Sequence, residues 1–356
     1  MIKYTQQSFH KNCKFMFTSI YNRILNYCNS VYKSPSSKTV KKMKEESARW
    51  FIDLLQQRYS TGTSDSPCIH TGNKCVIIMV DNTIYNPGLA DKLRGILSIY
   101  SLCKEKHIDF KINWTYPFEL TEYMLPNKIN WIIEQEKIKY SLSDSKIVPN
   151  IHASRQSIID KKIFDDTVLN SQYLQYHIYT NSIIHTQAFP NLFRELFTPS
   201  EKLQSLIDLH HKNIGEKYVA ASFRFLELLG DFKDSEGMDE MLPPREQKLL
   251  IEQCYIELKK FIDTLPEFYK ILVTSDSERF LAKASTLPRT YIIPGKVIHI
   301  RYKTTDTSAY MKTFLDMFLL SGAESLVLFK TGKMYNSGFP RLASQIGNKH
   351  FKIHEF

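Results

Sequence analysis

The chain has 356 residues, with 47 Lys+Arg against 37 Asp+Glu, six cysteines, and 43% hydrophobic and 13% aromatic content. This length suits about two domains with full cores, which excludes a disordered, collagen-like or disulfide-scaffold protein. The net charge of +10 is uneven: residues 1–60 hold 11 Lys/Arg and 3 Asp/Glu, and the rest hold 36 against 34, so no dense basic stripe for nucleic acid runs through the body.

From the N-terminus, Phe17, Ile20, Ile24, Cys28 and Val31 recur at helical spacing. Ser34-Pro35-Ser36-Ser37 breaks this pattern, and Val40, Met43, Trp50, Phe51, Leu54 and Leu55 start a second helix with lysines on its other face. Residues 1–59 thus read as a basic helical extension, and 60–73 as a linker centred on Ser60-Thr61-Gly62-Thr63-Ser64-Asp65-Ser66-Pro67.

The pattern then changes. Cys75 to Val80 is an apolar run of strand length, Leu89 to about Lys104 a helix, and Phe110 to Trp114 a strand, the order of a βαβ unit. Within 120–215 only Glu201 to Lys212, behind Ser200 as N-cap, is a legible helix. Beyond it come strands at Tyr218–Phe223, Tyr269–Thr274, Tyr291–Ile293, Val297–Ile300 and Ser325–Phe329. Between them lie helices at Arg245–Phe261, Ser277–Ser285, Ala309–Leu320 and Phe339–Gln345. The expected architecture is two Rossmann-like α/β domains, 74–215 and 216–356, facing a ligand cleft at their strand C-termini.

No run approaches the ~20 apolar residues of a membrane-spanning helix, and no cleavable leader is legible, so a cytoplasmic protein is expected. The cysteines form no metal-spaced pair and read as reduced structural thiols.

Four strand-to-helix loops carry candidate chemistry. Gly88 allows close backbone approach ahead of a helix bearing Asp91 and Arg94. Ser222-Phe223-Arg224 brings an arginine out of a buried strand. Its fork suits a phosphate, and equally a carboxylate partner. Ser275, Asp276 and Ser277 suit a guanine or ribose, and equally an ordinary helix cap. Ser337, Gly338 and Phe339 open a helix in a turn that suits a diphosphate.

In order, these segments resemble the fucosyltransferases that use GDP-fucose, a superfamily spanning α1,2-, α1,6- and protein O-fucosyltransferases. Gly88 to Ile96 is similar to their glycine loop and first helix, and Tyr218 to Asp231 to their arginine-bearing peptide. Thr274 to Glu278 is similar to their nucleotide loop, and Phe314–Ser321 with Ser337–Ser344 to their closing helix and phosphate-side turn.

The resemblance covers about residues 74 to 350 and implies a GT-B fold with the donor held by the C-terminal domain. Arg224 would then meet the diphosphate, Asp276 the guanine or ribose, and residues 337–339 the phosphates, with Gly88 lining the cleft. It departs at Ser222, where many members carry His, and at Phe225, where some carry a second Arg.

The reaction so implied is inverting and metal-independent, with no cofactor beyond the GDP-sugar substrate. Glu227 and Asp231 lead as carboxylates to take the acceptor proton. The acceptor would be a hydroxyl of a bacterial-type surface glycan, free or lipid-linked. Residues 1–59 would then either touch the inner face of the membrane or pack on the protein. A different nucleotide sugar, or a non-catalytic binding role, are the alternatives.

Overall fold

A computed structural model describes residues 58–59, 73–82, 88–148, 161–181, 183–184, 187–232, 241–301 and 303–356. The two helices read at 12–31 and 40–55, and the linker through residue 72, lie outside the described residues. In chain order the elements are β1 (Cys75–Val80), α1 (Leu89–Glu105), β2 (Asp109–Trp114), β3 (Met124–Pro126), β4 (Ser145–Val148), α2 (Lys161–Phe164), β5 (Gln175–Ile178), α3 (Phe189–Leu196), β6 (Phe197–Pro199) and α4 (Glu201–Ile214). There follow β7 (Tyr218–Phe223), α5 (Pro244–Asp263), β8 (Lys270–Ser275), α6 (Glu278–Ala284), β9 (Thr290–Tyr291), α7 (Thr307–Gly322), β10 (Ser325–Lys330), α8 (Gly338–Gly347) and β11 (His350–Glu355).

The chain forms two compact units. The first carries a four-stranded parallel sheet in the order β2-β1-β5-β4. β1 is apolar on both faces because the sheet is covered on both, as parallel sheets are. Gly95 lets α1 approach the chain leaving β5: a Cβ there would overlap the Thr180 carbonyl oxygen.

Arg58 and Tyr59 belong to this unit. The Tyr59 ring is 1% exposed and packs with Ile77, Met79, Ile147 and Tyr179. Its hydroxyl donates to Nδ1 of the buried His177 at 2.5 Å, and His177 Nε2 donates to Gln175 Oε1 at 3.2 Å. Burial pushes the His177 pKa down to about 3, so the ring is neutral with its proton on Nε2. Arg58 pairs with Asp81 at 3.0 Å and donates to the Tyr140 hydroxyl at 2.9 Å. The end of the expected N-terminal extension is therefore a core component of the first unit.

The second unit carries a five-stranded parallel sheet in the order β11-β10-β7-β8-β9. β7, buried at every position, is its centre. A core of Phe223, Phe225, Phe280 and Phe329 with Cys254, Leu258 and Ile271 fills the α5–α6 side. The unit includes Gly88–Ala90, Leu120–Lys128 and everything from Gln187. The segment 187–215, assigned by sequence to the first domain, packs here because α4 lies on α7, α3 lies on α8, and β3 pairs antiparallel with β6.

Among the described residues, the legible elements form within two or three residues of their expected bounds, with one exception. Val297–Ile300 is not a strand: Gly295, at φ +117° behind Pro294, breaks the extended backbone just ahead of it. Ser200 caps α4 as expected, accepting from the Leu203 amide at 3.4 Å. Among the described residues Cys75, Cys103 and Cys254 are free thiols, and burial pushes Cys75 and Cys254 up to about 12. No helix among the described residues is long and apolar enough to cross a membrane.

Candidate functional site

The chain order of the second sheet reverses beside β7. β8 and β9 are added on one side of it, and β10 and β11 on the other, so the switch point lies between β7 and β10. In open α/β sheets ligands bind at the carboxyl ends of the strands at this point. Here Arg224 follows β7 and the turn 331–337 follows β10. The two loops are tied together by the Tyr335 amide, which donates to the Arg224 carbonyl at 3.1 Å.

Arg224 Nε lies 3.3 Å from Asp276 Oδ2, and its guanidinium stacks on Phe232 with 4.4 Å to the ring centroid. The Asp276 side chain is fully buried. Its Oδ1 accepts the Phe225 amide at 2.9 Å and its Oδ2 the Leu226 amide at 2.8 Å. Burial drives this carboxyl's pKa upward, against the pull of Arg224 and the two amides. Leu226 is held at φ +54°, a left-handed conformation costing a non-glycine residue about 1–2 kcal/mol. One carboxylate therefore fixes both the arginine and the strained turn after it. Asp276, expected against guanine or ribose, faces inward instead.

Two other expected ligand residues also have internal partners. Ser277 caps α6, its Oγ accepting the Phe280 amide at 3.1 Å while its hydroxyl donates to Asp231 Oδ2 at 2.7 Å. The same Asp231 oxygen accepts the Arg279 amide at 3.2 Å. Asp231 is thus the fastener of the α6 N-terminus, which accounts for its place on the loop without a catalytic role. Ser275 is buried, and its Oγ accepts the Ser277 amide at 3.1 Å. Glu227 is half-buried on the turn Leu226–Leu229, three residues from Arg224.

The departures from the family pattern have local explanations. Ser222 is buried, its Oγ accepting from the Thr274 hydroxyl at 3.1 Å across β7 and β8. Phe225 is fully buried against Phe280, at 5.3 Å between centroids. An arginine there would carry its charge into this aromatic core.

On the β10 side, Ser337 is buried and its Oγ accepts the Phe339 amide at 3.3 Å, capping the ten-residue α8. Gly338 and Phe339 are half-buried at the helix start. Gly88 lies against His299, whose Nε2 would be 3.3 Å from a Cβ at that position. Asp91 and Arg94, one turn apart on α1, form an ion pair with each other in the first unit. The structure thus gathers Arg224, Asp276, Glu227 and Ser337–Phe339 at one end of the second sheet, while Asp91 and Arg94 belong to the first unit.

Sequence reasoning missed Phe232, Tyr335 and the pair Lys312–Asp316, buried on α7 with Nζ 2.7 Å from Oδ2. Opposite charges four apart within an otherwise apolar helix were the available signal for that pair. Phe232 and Tyr335 are aromatics directly beside the proposed loops. Among the described residues, no three His, Cys, Asp or Glu side chains are grouped to hold a metal ion.

No family model and no curated protein matches the chain. Solved structures do. The α1,6-fucosyltransferase NodZ from Bradyrhizobium, soaked with GDP-fucose, is 15% identical with a TM-score of 0.51, over 77% of this chain and 93% of NodZ. A variant of Arabidopsis thaliana FUT1 in complex with GDP is 14% identical with a TM-score of 0.51, over 90% of this chain and 80% of that one. At these identities the likeness is one of fold: the chain has the GT-B-type α/β fold of these fucosyltransferases.

Proposed function

We propose that the chain is a glycosyltransferase that moves fucose, or a closely related sugar, from GDP-fucose to a hydroxyl of a glycan. The observation that carries this reading is Arg224, fixed by Asp276 at the switch point of the second sheet and joined through Tyr335 to the start of α8. The fold shared with NodZ and FUT1, seen with GDP-fucose and GDP, supports it.

In the proposed reaction the acceptor oxygen bonds to the sugar's anomeric carbon as the bond from that carbon to the β-phosphate oxygen breaks. GDP leaves with the electron pair, so negative charge grows on the β-phosphate. The outer nitrogens of Arg224 and the Gly338 amide at the start of α8 stabilise that charge in a fixed, partly dry setting. A carboxylate takes the acceptor proton, and Glu227 is the stronger candidate because Asp231 fastens α6. Attack from the face opposite the leaving group makes the transfer inverting, and it draws on no metal.

A bacterial-type surface glycan as acceptor, free or lipid-linked, with contact at the inner membrane face through the segment ahead of Arg58, completes the proposal. A second reading, transfer from another nucleotide sugar, is favoured by Ser222 and Phe225, which withhold two cations that family members bring to the donor.

Thermal shift and calorimetry with GDP, UDP, GDP-fucose, GDP-mannose and UDP-sugars test the proposal, together with slow donor hydrolysis. Selective binding of GDP and GDP-fucose supports it, and preference for UDP-sugars moves it to the second reading. Absence of any binding or hydrolysis overturns it.

A further inference from the structure

Asp276, the residue expected to meet the nucleobase, has its two oxygens on the amides of Phe225 and Leu226 and beside Arg224, and its side chain is sealed from solvent. We infer that the base is instead held by stacking, on the ring of Tyr335. The inference rests on the nucleoside diphosphate reading of the site and adds the residue that meets the base.

Tyr335 is 52% exposed, yet both its amide and its carbonyl are hydrogen-bonded within the main chain. Its amide donates to the Arg224 carbonyl at 3.1 Å, and its carbonyl accepts the Ser337 amide at 3.0 Å. The preceding Met334 is 2% exposed, packs in the core beside Cys254 and donates its amide to the Thr331 carbonyl at 3.0 Å. A single exposed aromatic residue is ordinary by itself. This one is fixed by main-chain bonds between the two elements assigned to the diphosphate, one hydrogen bond from Arg224 and two residues from Ser337.

A nucleotide whose phosphates lie against Arg224 and the start of α8 must place its base beside these loops. An aromatic face meets any base without hydrogen-bond readout. A tyrosine on an anchored backbone loses little freedom when it does so. The same arrangement accounts for how Asp276 can be withdrawn from base contact and the nucleotide still be held at both ends.

The test compares GDP with inorganic pyrophosphate by calorimetry on the full chain, for wild type, Tyr335→Ala, Tyr335→Phe and, as a distant exposed aromatic, Phe268→Ala. Base stacking removed by alanine weakens binding at least about fivefold. The expected result is that loss for GDP in Tyr335→Ala, with pyrophosphate affinity unchanged and with Tyr335→Phe and Phe268→Ala like wild type. Unchanged GDP affinity in Tyr335→Ala overturns the inference and leaves the proposed function standing. Equal loss of GDP and pyrophosphate also overturns it, because the ring would then only support the phosphate seat. Failure of the wild-type chain to bind GDP at all overturns both.

Discussion

Asp276 Oδ2 stands 3.3 Å from Arg224 Nε at the carboxyl end of the central strand, buried and already bonded to two main-chain amides. Three donors converge on one carboxylate, so the arginine's direction is set before any ligand arrives. Such an arrangement suits an electrostatic role in which charge develops at a fixed place.

Removing that carboxylate should cost both fold and binding. Asp276→Ala leaves two buried amides and a cation without their acceptor, and loss of one partner of a buried pair typically costs about 3–5 kcal/mol. Urea denaturation should show that loss. Asp276→Asn, which keeps an acceptor of the same shape, should fold more stably than the alanine variant and still bind GDP less tightly than wild type. A fully stable alanine variant would mean that the three contacts are not made together.

The two carboxylates on the loop after Arg224 should separate cleanly. Asp231 fastens Ser277 and the Arg279 amide at the start of α6, so Asp231→Ala should lower stability by about 1–2 kcal/mol, the cost of a lost helix cap. Its transfer rate per folded molecule should be retained. Glu227→Gln should fold normally and lower kcat by about 100-fold or more, the range for a lost general base. The reverse pattern would make Asp231 the base.

Truncation to residue 70 should destabilise the first unit, because it removes Tyr59 from the core and leaves His177 Nδ1 buried without its donor. The lost ring burial alone is worth about 1.5–3 kcal/mol, and Tyr59→Phe should cost about 1–2 kcal/mol through the hydroxyl. Differential scanning calorimetry of the three proteins tests this. A truncated chain as stable as the full one would return residues 58–59 to the status of a separate extension.

Acid should weaken the same unit through His177. The folded ring holds off protonation to about 3, whereas the unfolded ring accepts a proton near 6.5. The stability it contributes is therefore complete above pH 6.5 and is lost on the way down to pH 3, by about 1.4 kcal/mol for each pH unit. Urea midpoints between pH 7 and 5 should fall in wild type and fall less in His177→Gln. Parallel slopes would place the sensitivity elsewhere.

Gly95→Ala should be among the most damaging small substitutions in the chain. The added methyl would overlap the Thr180 carbonyl oxygen, and backbone cannot yield as a flexible side chain does. Forced shifts of this kind cost about 1–3 kcal/mol, and a drop in thermal midpoint would show it. An unchanged midpoint would mean α1 sits further from β5 than described.

Periodicity made the Rossmann-like halves legible because buried parallel strands such as Cys75–Val80 and Tyr218–Phe223 are continuously apolar and each is followed by an amphipathic helix. The edge strand β11 was not legible: His350-Phe351-Lys352-Ile353-His354-Glu355 is half polar, and only pairing with β10 makes it a strand. The opposite error arose at Val297–Ile300, whose apolar residues imitate a strand while Pro294 and Gly295, at φ +117°, break the extended backbone ahead of them.

At the site, Arg224 and the 337–339 turn were readable as an arginine and a glycine turn after buried strands. The inward direction of Asp276 was not, since a carboxylate that accepts amides fifty residues away has the same sequence signature as one that meets a ligand. Nor could spacing separate Asp231 the helix fastener from Asp231 the base.

The most direct measurement is GDP affinity of the full chain against Arg224→Ala and Arg224→Lys. The outer nitrogens of an arginine grip a diphosphate in a planar fork that lysine cannot copy. The account predicts micromolar-range binding to wild type, loss of at least about tenfold in the alanine variant, in line with the ~1.5–3 kcal/mol of a hydrogen bond to a charged group, and only partial rescue by lysine. GDP affinity that is equal in wild type and Arg224→Ala would contradict it.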